Sequence, residues 1–218
     1  MVKSISFSNF SLNEKKKNHY SQQLNEAVNT YSSSVTWQYL IPELGEGGTC
    51  SLFGELQDEP FDLSDYIDTN ERNKECLTAL TAIVRYVESL NVVDWFGIYQ
   101  LRNIDNQSQL LKLSYFGNPS RPLFPVNKDY AKISNNTYVA LNADGRVINN
   151  VESYVSSGGE YYTCDPKVKS EICLPITSLE GKTLGIIDAE AFNVDVFNDD
   201  VVALFAAVCD VLEPYLPE

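Results

Sequence analysis

Apolar residues recur at three- and four-residue steps in three stretches of the chain, and this spacing predicts α-helices. The first helix is expected from a capping box at residues 11–14 to about residue 32, with a narrow apolar stripe. The second helix opens at residues 68–71, and the last follows a cap at Asn198 and has a broad apolar face. Helices are therefore expected at both ends of the chain.

Between the last two helices the apolar pattern changes to short runs typical of β-strands. Such runs occupy residues 95–101, 109–116, 123–126, 137–142, 146–151, 171–176 and 183–192. Polar turn sequences separate several of these runs. The order predicts an α+β fold, a central antiparallel sheet with helices packed mainly on one face.

The composition of the chain changes near residue 70. Residues 33–70 are rich in glycine, proline and acidic residues, which predicts a loop with at most short elements. We therefore expect an N-terminal extension at residues 1–70, a helix followed by this loop, and a sheet-containing domain at residues 71–218.

The net charge of −14 argues against a nucleic-acid-binding protein, because an acidic surface repels phosphates. No apolar run approaches the roughly 20 residues that a membrane-spanning helix needs. The first residues also lack the apolar core of a secretory signal. We therefore expect a cytoplasmic protein that binds neither nucleic acid nor membrane.

The five cysteines are irregularly spaced, which predicts reduced thiols rather than a disulfide framework. Cys76 and Cys209 fall on apolar helix faces and are expected in the core. The single histidine, His19, lies in a polar, lysine-rich segment. Without a second histidine we expect neither a Cys/His metal site nor histidine-dependent hydrolysis, so chemistry would depend on thiols, carboxylates and aromatic residues.

Acidic residues interrupt two of the apolar strands. Alternation places Glu171 and Cys173 on one face of the first strand and Asp188 and Glu190 on one face of the second. Periodicity alone favours solvent-exposed acids on an antiparallel sheet. The alternative is a pocket in which a thiol, Cys164, faces a ring of carboxylates.

Three segments resemble the free methionine-(R)-sulfoxide reductases, single-domain enzymes of the GAF fold. They are DWFGIY at residues 94–99, CDPKVKSEICLPI at 164–176 and EGKTLGIIDAEAF at 180–192. The likeness extends over roughly residues 92–213. It implies that residues 71–218 form a GAF-like domain.

Carried over position by position, the resemblance implies roles for five residues. Cys164 falls on the cysteine that attacks the sulfoxide sulfur, and Trp95 falls on the aromatic residue that packs against the methylthio end. Glu171, Asp188 and Glu190 fall on the acids that hold the substrate. The thiol would end as a sulfenic acid, with a carboxyl of raised pKa as proton donor and no cofactor beyond a thioredoxin-type reductant.

The chain departs from the family at two further cysteines, which help to reduce the sulfenic acid through a disulfide. Approximate alignment places Arg121 and Ala131 at those positions, so Arg121 is expected to change the charge of the pocket. Cys173 and Cys50 are candidate substitutes. For both, the favoured interpretation is a thiol without a role in turnover.

Three functions are left open by the sequence. The first is a thiol-dependent reductase of free methionine-(R)-sulfoxide or a related small amino-acid-derived sulfoxide, recycled by thioredoxin. The second is a non-catalytic GAF module that binds a small cationic or zwitterionic ligand. The third is an enzyme of another reaction on the same scaffold. A homodimer is also expected, since GAF domains often pair through their helices.

Overall fold

The computed structural model describes residues 12–44, 55–161 and 165–218, together with the main chain of residues 5–6. The α-helices in these ranges are α1 (Glu14–Thr30), α2 (Glu71–Ser89), α3 (Asn135–Asn142), α4 (Val151–Ser156) and α5 (Asp199–Leu212). The strands are β1 (Ile5–Ser6), β2 (Gln38–Tyr39), β3 (Phe61–Asp62), β4 (Trp95–Ile104), β5 (Gln107–Phe116), β6 (Leu123–Pro125), β7 (Arg146–Ile148), β8 (Ser170–Thr177) and β9 (Thr183–Ala191).

The main sheet is antiparallel throughout the described residues, in the order β1-β7-β8-β9-β4-β5-β6. Its long central hairpin joins β4 to β5 through Asp105 and Asn106, whose φ angles are 51° and 61°. Two positive φ values define a type I′ turn, which matches the right-handed twist of the strands. β2 and β3 pair separately.

The helices α1, α2 and α5 cover one face of the sheet. Phe96 and Ile98 of β4 pack there in one apolar core with Leu24 of α1, Leu80 of α2 and Phe205 of α5. The predicted α+β fold, with helices mainly on one face, is confirmed. Leu24 belongs to the N-terminal segment, so the extension at residues 1–70 contributes to the core of the sheet domain. No described helix is both long enough and apolar enough to cross a bilayer.

Asparagine side chains cap the three core helices, because an amide oxygen satisfies a main-chain N–H group of the first turn. Asn13 accepts from the main-chain N–H of Lys16 at 3.1 Å, and Asn70 accepts from that of Asn73 at 2.8 Å. Asn198 caps α5 as predicted. The predicted cap of the first helix, Ser11, lies outside the described residues.

One strand prediction was wrong and a second was wrong in part. Residues 137–142 belong to α3, because Ser134 accepts from the N–H of Thr137 and Ala143 ends the helix in the left-handed region. Residues 146–151 form a strand only as far as Ile148, and α4 begins at Val151. Runs this short cannot be assigned by periodicity, and the caps decide between helix and strand.

Phe205 offers a test of this core. Its side chain is buried and packs on Phe96 and Phe197, with ring centroids 5.6 and 6.2 Å away. Phe205→Ala is expected to lower the free energy of unfolding by about 3–5 kcal/mol in urea denaturation, because it leaves a cavity. Leu179→Ala, at a position that is 99% exposed, should change it by less than about 0.5 kcal/mol. Equal losses in the two variants would contradict the packing described.

Candidate functional site

A cavity of about 400 Å³ lies on the sheet face opposite α1, α2 and α5. A cavity of this size suits a small organic ligand. Its walls include Pro42, Leu56, Asp94, Trp95, Tyr99, Asn118, Pro119, Ser120, Phe124, Ser134, Asn135, Asn136, Asp165, Pro166, Lys167, Glu171, Asp188, Glu190 and Phe192.

Strand register brings the acidic residues together in this cavity. Glu171 of β8 pairs with Glu190 of β9, which in turn pairs with Trp95 of β4. Cys173, Asp188 and the neighbouring Gly97 form the next row on the same face. Directly paired side chains on one face have Cβ atoms about 4.5–5.5 Å apart. The three carboxyls therefore share one wall of the cavity.

Burial of these acids contradicts the simplest interpretation of the sequence. Periodicity alone favoured solvent-exposed carboxyls, whereas Glu171 and Asp188 are each only 4% exposed. The helix α3, which the sequence presented as a strand, packs over this face of the sheet and removes the acids from bulk water.

Two asparagines at the start of α3 bind the acids. Asn135 donates its Nδ2 to Glu171 at 2.9 Å, and Asn136 donates to Asp188 at 3.0 Å. Arg146 donates to the Oδ1 of Asn135 at 3.3 Å. Within the described residues, Asn136 Oδ1 and Asp188 Oδ1 have no hydrogen-bond partner. Buried acceptors without a donor are uncommon in folded proteins and cost stability.

Sequence reasoning missed both asparagines because it placed them ahead of a strand. The available signal was Ser134, a favoured N-cap residue, directly before Asn135 and Asn136.

Burial raises the pKa values of all three carboxyls. Burial is the largest cause for Asp188, whose pKa lies well above its ordinary value, and repulsion from Glu171 and Glu190 adds to it. Burial and then Glu171 raise the pKa of Glu190 to about 8. Burial also raises the pKa of Glu171, against the hydrogen bonds that it accepts. The cluster therefore holds protons near neutral pH. A bound cation would lower the pKa values of the carboxyls and favour release of these protons.

Trp95 forms an aromatic part of the cavity wall. Its Nε1 donates to the carbonyl of Asn118 at 2.9 Å, which fixes the indole ring. The ring lies so close to Gly97 that a Cβ atom at position 97 would come within 2.3 Å of it. Glycine at position 97 is therefore required for this orientation of Trp95.

Lys112 is a fully buried lysine that sequence reasoning did not identify. Its Nζ donates to the main-chain oxygen and Oγ of Ser120 at 2.7 and 2.8 Å. The ammonium lies 3.9 Å from the Tyr115 ring centroid and 5.0 Å from that of Tyr39. Burial lowers the pKa of Lys112 well below its ordinary value. The signal was a lysine inside the apolar run QLLKLSYF.

Lys112→Met should change how stability depends on pH. In the unfolded state Lys112 keeps its proton up to a pKa of about 10.4, whereas in the folded state it releases the proton at lower pH. Between the folded and the unfolded pKa the unfolded state binds more protons, so the stability of wild type rises with pH. Methionine keeps most of the volume and cannot titrate. The difference in the free energy of unfolding between wild type and Lys112→Met should change by up to about 1.4 kcal/mol per pH unit in that interval.

Urea denaturation between pH 7 and pH 10 measures this difference. Lys182→Met, at an exposed position in the β8–β9 turn, is the matched control and should run parallel to wild type. A Lys112→Met curve that is also parallel to wild type would show that the folded state keeps Lys112 charged.

The remaining predicted site residues lie apart from the cavity or outside the described residues. Cys173 is fully buried and is not part of the wall, and burial, then Asp188 and Glu171, raise the pKa of its thiol well above its ordinary value. Cys164 and Cys50 fall outside the described residues. Asp165, next to Cys164 in sequence, lines the cavity and accepts from Asn118.

Arg121, which was expected to change the charge of the pocket, does not line the described cavity. Its Nε donates to the carbonyl of Leu123 at 2.7 Å, and its Nη1 donates to the hydroxyl of Tyr130. The guanidinium packs 4.6 Å from the Phe124 ring centroid. The structure thus brings together four of the predicted residues, and these are Trp95, Glu171, Asp188 and Glu190.

Solved structures with a similar fold belong to GAF proteins. The type II free methionine-R-sulfoxide reductase of Thermoplasma acidophilum is 19% identical, with a TM-score of 0.57 over 66% of this chain and 94% of that chain. The free methionine-R-sulfoxide reductase of Neisseria meningitidis, solved in complex with its substrate, is 17% identical, with a TM-score of 0.53 over 64% and 77%.

A third similar structure is the GAF domain of an Acinetobacter phosphoenolpyruvate-protein phosphotransferase. It is 11% identical, with a TM-score of 0.56 over 91% of this chain and 92% of that chain. No protein-family model and no curated protein matches the sequence. At these identities the likeness shows the fold, and this chain has the GAF fold.

Proposed function

We propose that this protein is a thiol-dependent reductase of free methionine-(R)-sulfoxide or a related small amino-acid-derived sulfoxide. One observation carries the proposal: Glu171, Asp188, Glu190 and Trp95 line a single cavity. Asp165, the neighbour of Cys164 in sequence, lines the same cavity.

The carboxyls suit the charged end of a free amino acid. An α-ammonium group would donate to acids that are buried, and the Coulomb attraction is strong because water is largely excluded. Glu190, the only one of the three carboxyls that is partly exposed, lines the cavity and is within reach of such a group. Trp95 would pack against the apolar end of the substrate.

In the proposed reaction Cys164 attacks the sulfoxide sulfur as a thiolate. The sulfur–oxygen bond breaks, the oxygen takes protons, and hydrolysis of the sulfur–sulfur adduct leaves a thioether and a cysteine sulfenic acid. Glu190, whose pKa is about 8 in the ligand-free protein, carries a proton at neutral pH that it would pass to the sulfoxide oxygen, and the carboxylate so formed would pair with the α-ammonium group. A thioredoxin-type dithiol would then reduce the sulfenic acid, forming water and a disulfide.

A second candidate function is a GAF module that binds the same ligand without converting it. The observation that favours it concerns Cys173, the candidate resolving thiol that the structure describes: it is fully buried and does not line the cavity. Cys173 is enclosed and holds its proton tightly, so it is poorly suited to resolve a sulfenic acid.

A coupled assay distinguishes the two functions. With thioredoxin, thioredoxin reductase and free methionine-(R)-sulfoxide, the reductase should oxidise NADPH in proportion to the sulfoxide consumed. The (S) epimer serves as control and should not be consumed. A binding module would instead be stabilised by roughly 2.7 kcal/mol at a hundredfold excess over Kd, with no consumption of the ligand.

A further inference from the structure

A segment of the N-terminal extension forms one wall of the cavity. β2 and β3 pair at its base, and Pro42 and Leu56 form an antiparallel bridge further along. Main-chain hydrogen bonds of 2.8 and 3.0 Å flank that bridge. We call residues 37–44 and 55–62 the arm. Pro42 and Leu56 both line the cavity, and the resemblance to the reductases does not extend to this part of the chain.

Tyrosine side chains hold the arm against the sheet. The hydroxyl of Tyr39 donates to the main-chain oxygen of Lys112 at 2.8 Å, and the Tyr39 and Tyr115 ring centroids are 5.4 Å apart. The hydroxyl of Tyr115 donates to the carbonyl of Leu40 at 3.5 Å. Both Lys112 and Tyr115 belong to β5, so the arm is anchored at β5.

The residues that line the cavity therefore change from acidic to apolar across the sheet. The carboxyls stand on β8 and β9, Trp95 stands on β4, and the arm is anchored at β5, the next strand in the order. Neighbouring strands are about 4.8 Å apart, so roughly 10 Å separates β9 from β5. Leu56 is 40% exposed, which leaves apolar surface at the far end of this path.

We propose that Pro42 and Leu56 are specificity residues that contact the apolar end of the ligand. The ligand class is then a primary ammonium compound with an extended apolar chain, its cation at Asp188 and Glu190 and its tail at Leu56. This inference rests on the proposed function in one respect only, which is that the carboxyls bind an ammonium group.

Two observations support a ligand of this class. At the acidic end, Glu171, Asp188 and Glu190 of two paired strands line the cavity, and carboxyl groups are the usual partners of an ammonium group. At the other end, covering the exposed part of Leu56 would remove apolar surface from water, and each buried methylene should raise affinity about fourfold.

Calorimetric titration of the full chain with n-butylamine, n-hexylamine and n-octylamine tests the inference. In wild type the affinity should rise about fourfold per methylene once the chain reaches the arm. Leu56→Ser should reduce octylamine affinity by on the order of tenfold and leave butylamine affinity unchanged. Leu56→Trp keeps the position apolar and should weaken octylamine binding by narrowing the cavity. Leu44→Ala is the matched control, since Leu44 is an exposed arm residue that does not line the cavity.

Affinity that is independent of chain length, or equal losses in Leu56→Ser and Leu44→Ala, would overturn the role of Leu56. If Asp188→Asn bound the amines as tightly as wild type, the carboxyl of Asp188 would not bind the ammonium group, and this would contradict the proposed function. The amines are not sulfoxides, so their binding can be measured even if the protein does not reduce methionine sulfoxide. The two proposals can therefore fail separately. Absence of binding by every amine would overturn the ligand class.

Discussion

Cys164→Ser should abolish sulfoxide-dependent turnover, with a loss in kcat on the order of a thousandfold or more. Serine has nearly the same size, but its hydroxyl is a far weaker nucleophile and cannot pass through the sulfenic acid and disulfide states that reduction requires. NADPH oxidation in the coupled assay measures the loss. Ligand-induced thermal stabilisation should persist in this variant, because the carboxyls and Trp95 are unchanged.

Variants of the other thiols complete this test. Cys209→Ala, on α5 and outside the described wall of the cavity, should keep full turnover. Cys50→Ser should lower steady-state turnover and spare a single turnover if Cys50 resolves the sulfenic acid. Turnover that survives Cys164→Ser would end the reductase proposal and leave the binding module.

Glu190→Gln should stabilise the ligand-free protein above neutral pH by a few kcal/mol. In the unfolded chain Glu190 loses its proton near pH 4.5, whereas in the folded protein it keeps the proton until about pH 8. The folded state therefore binds the extra proton between these values, and wild-type stability falls as pH rises, by up to about 1.4 kcal/mol per unit. Glutamine cannot ionise, so the variant lacks this part of the decline.

Urea denaturation at pH 5, 6, 7 and 8 measures this difference, with Glu180→Gln in the exposed β8–β9 turn as control. The same substitution should weaken binding of an ammonium ligand, because one carboxylate is lost from the cavity. Stability and binding would then change in opposite directions, as expected when charged groups are buried for function at a cost in stability. Wild-type and Glu190→Gln curves that stay parallel would mean that Glu190 titrates normally in the folded state.

The sequence predicted which acidic side chains share a face of their strand, but it did not predict whether that face is buried. Alternation placed Asp188 and Glu190 on one face and Glu171 and Cys173 on one face, and both pairs share a face in the structure. Whether those faces were buried or exposed could not be read, because that depends on what packs over the sheet. The helix α3 packs there, and its eight residues are too few for periodicity to separate helix from strand.

The sequence by itself determined the α+β fold, the start of the second helix near residues 68–71, the helix cap at Asn198, and the alternation of the acidic strands. These features depend on the spacing of apolar residues and on hydrogen bonds between residues a few positions apart, so residues close together in the sequence determine them. Tertiary structure alone decided that Glu171, Asp188 and Glu190 line one cavity, that asparagines from α3 bind Glu171 and Asp188, and that Leu56 shares this cavity. Those contacts join residues far apart in the chain, and cross-strand register and packing between layers, rather than local pattern, set the distances between them.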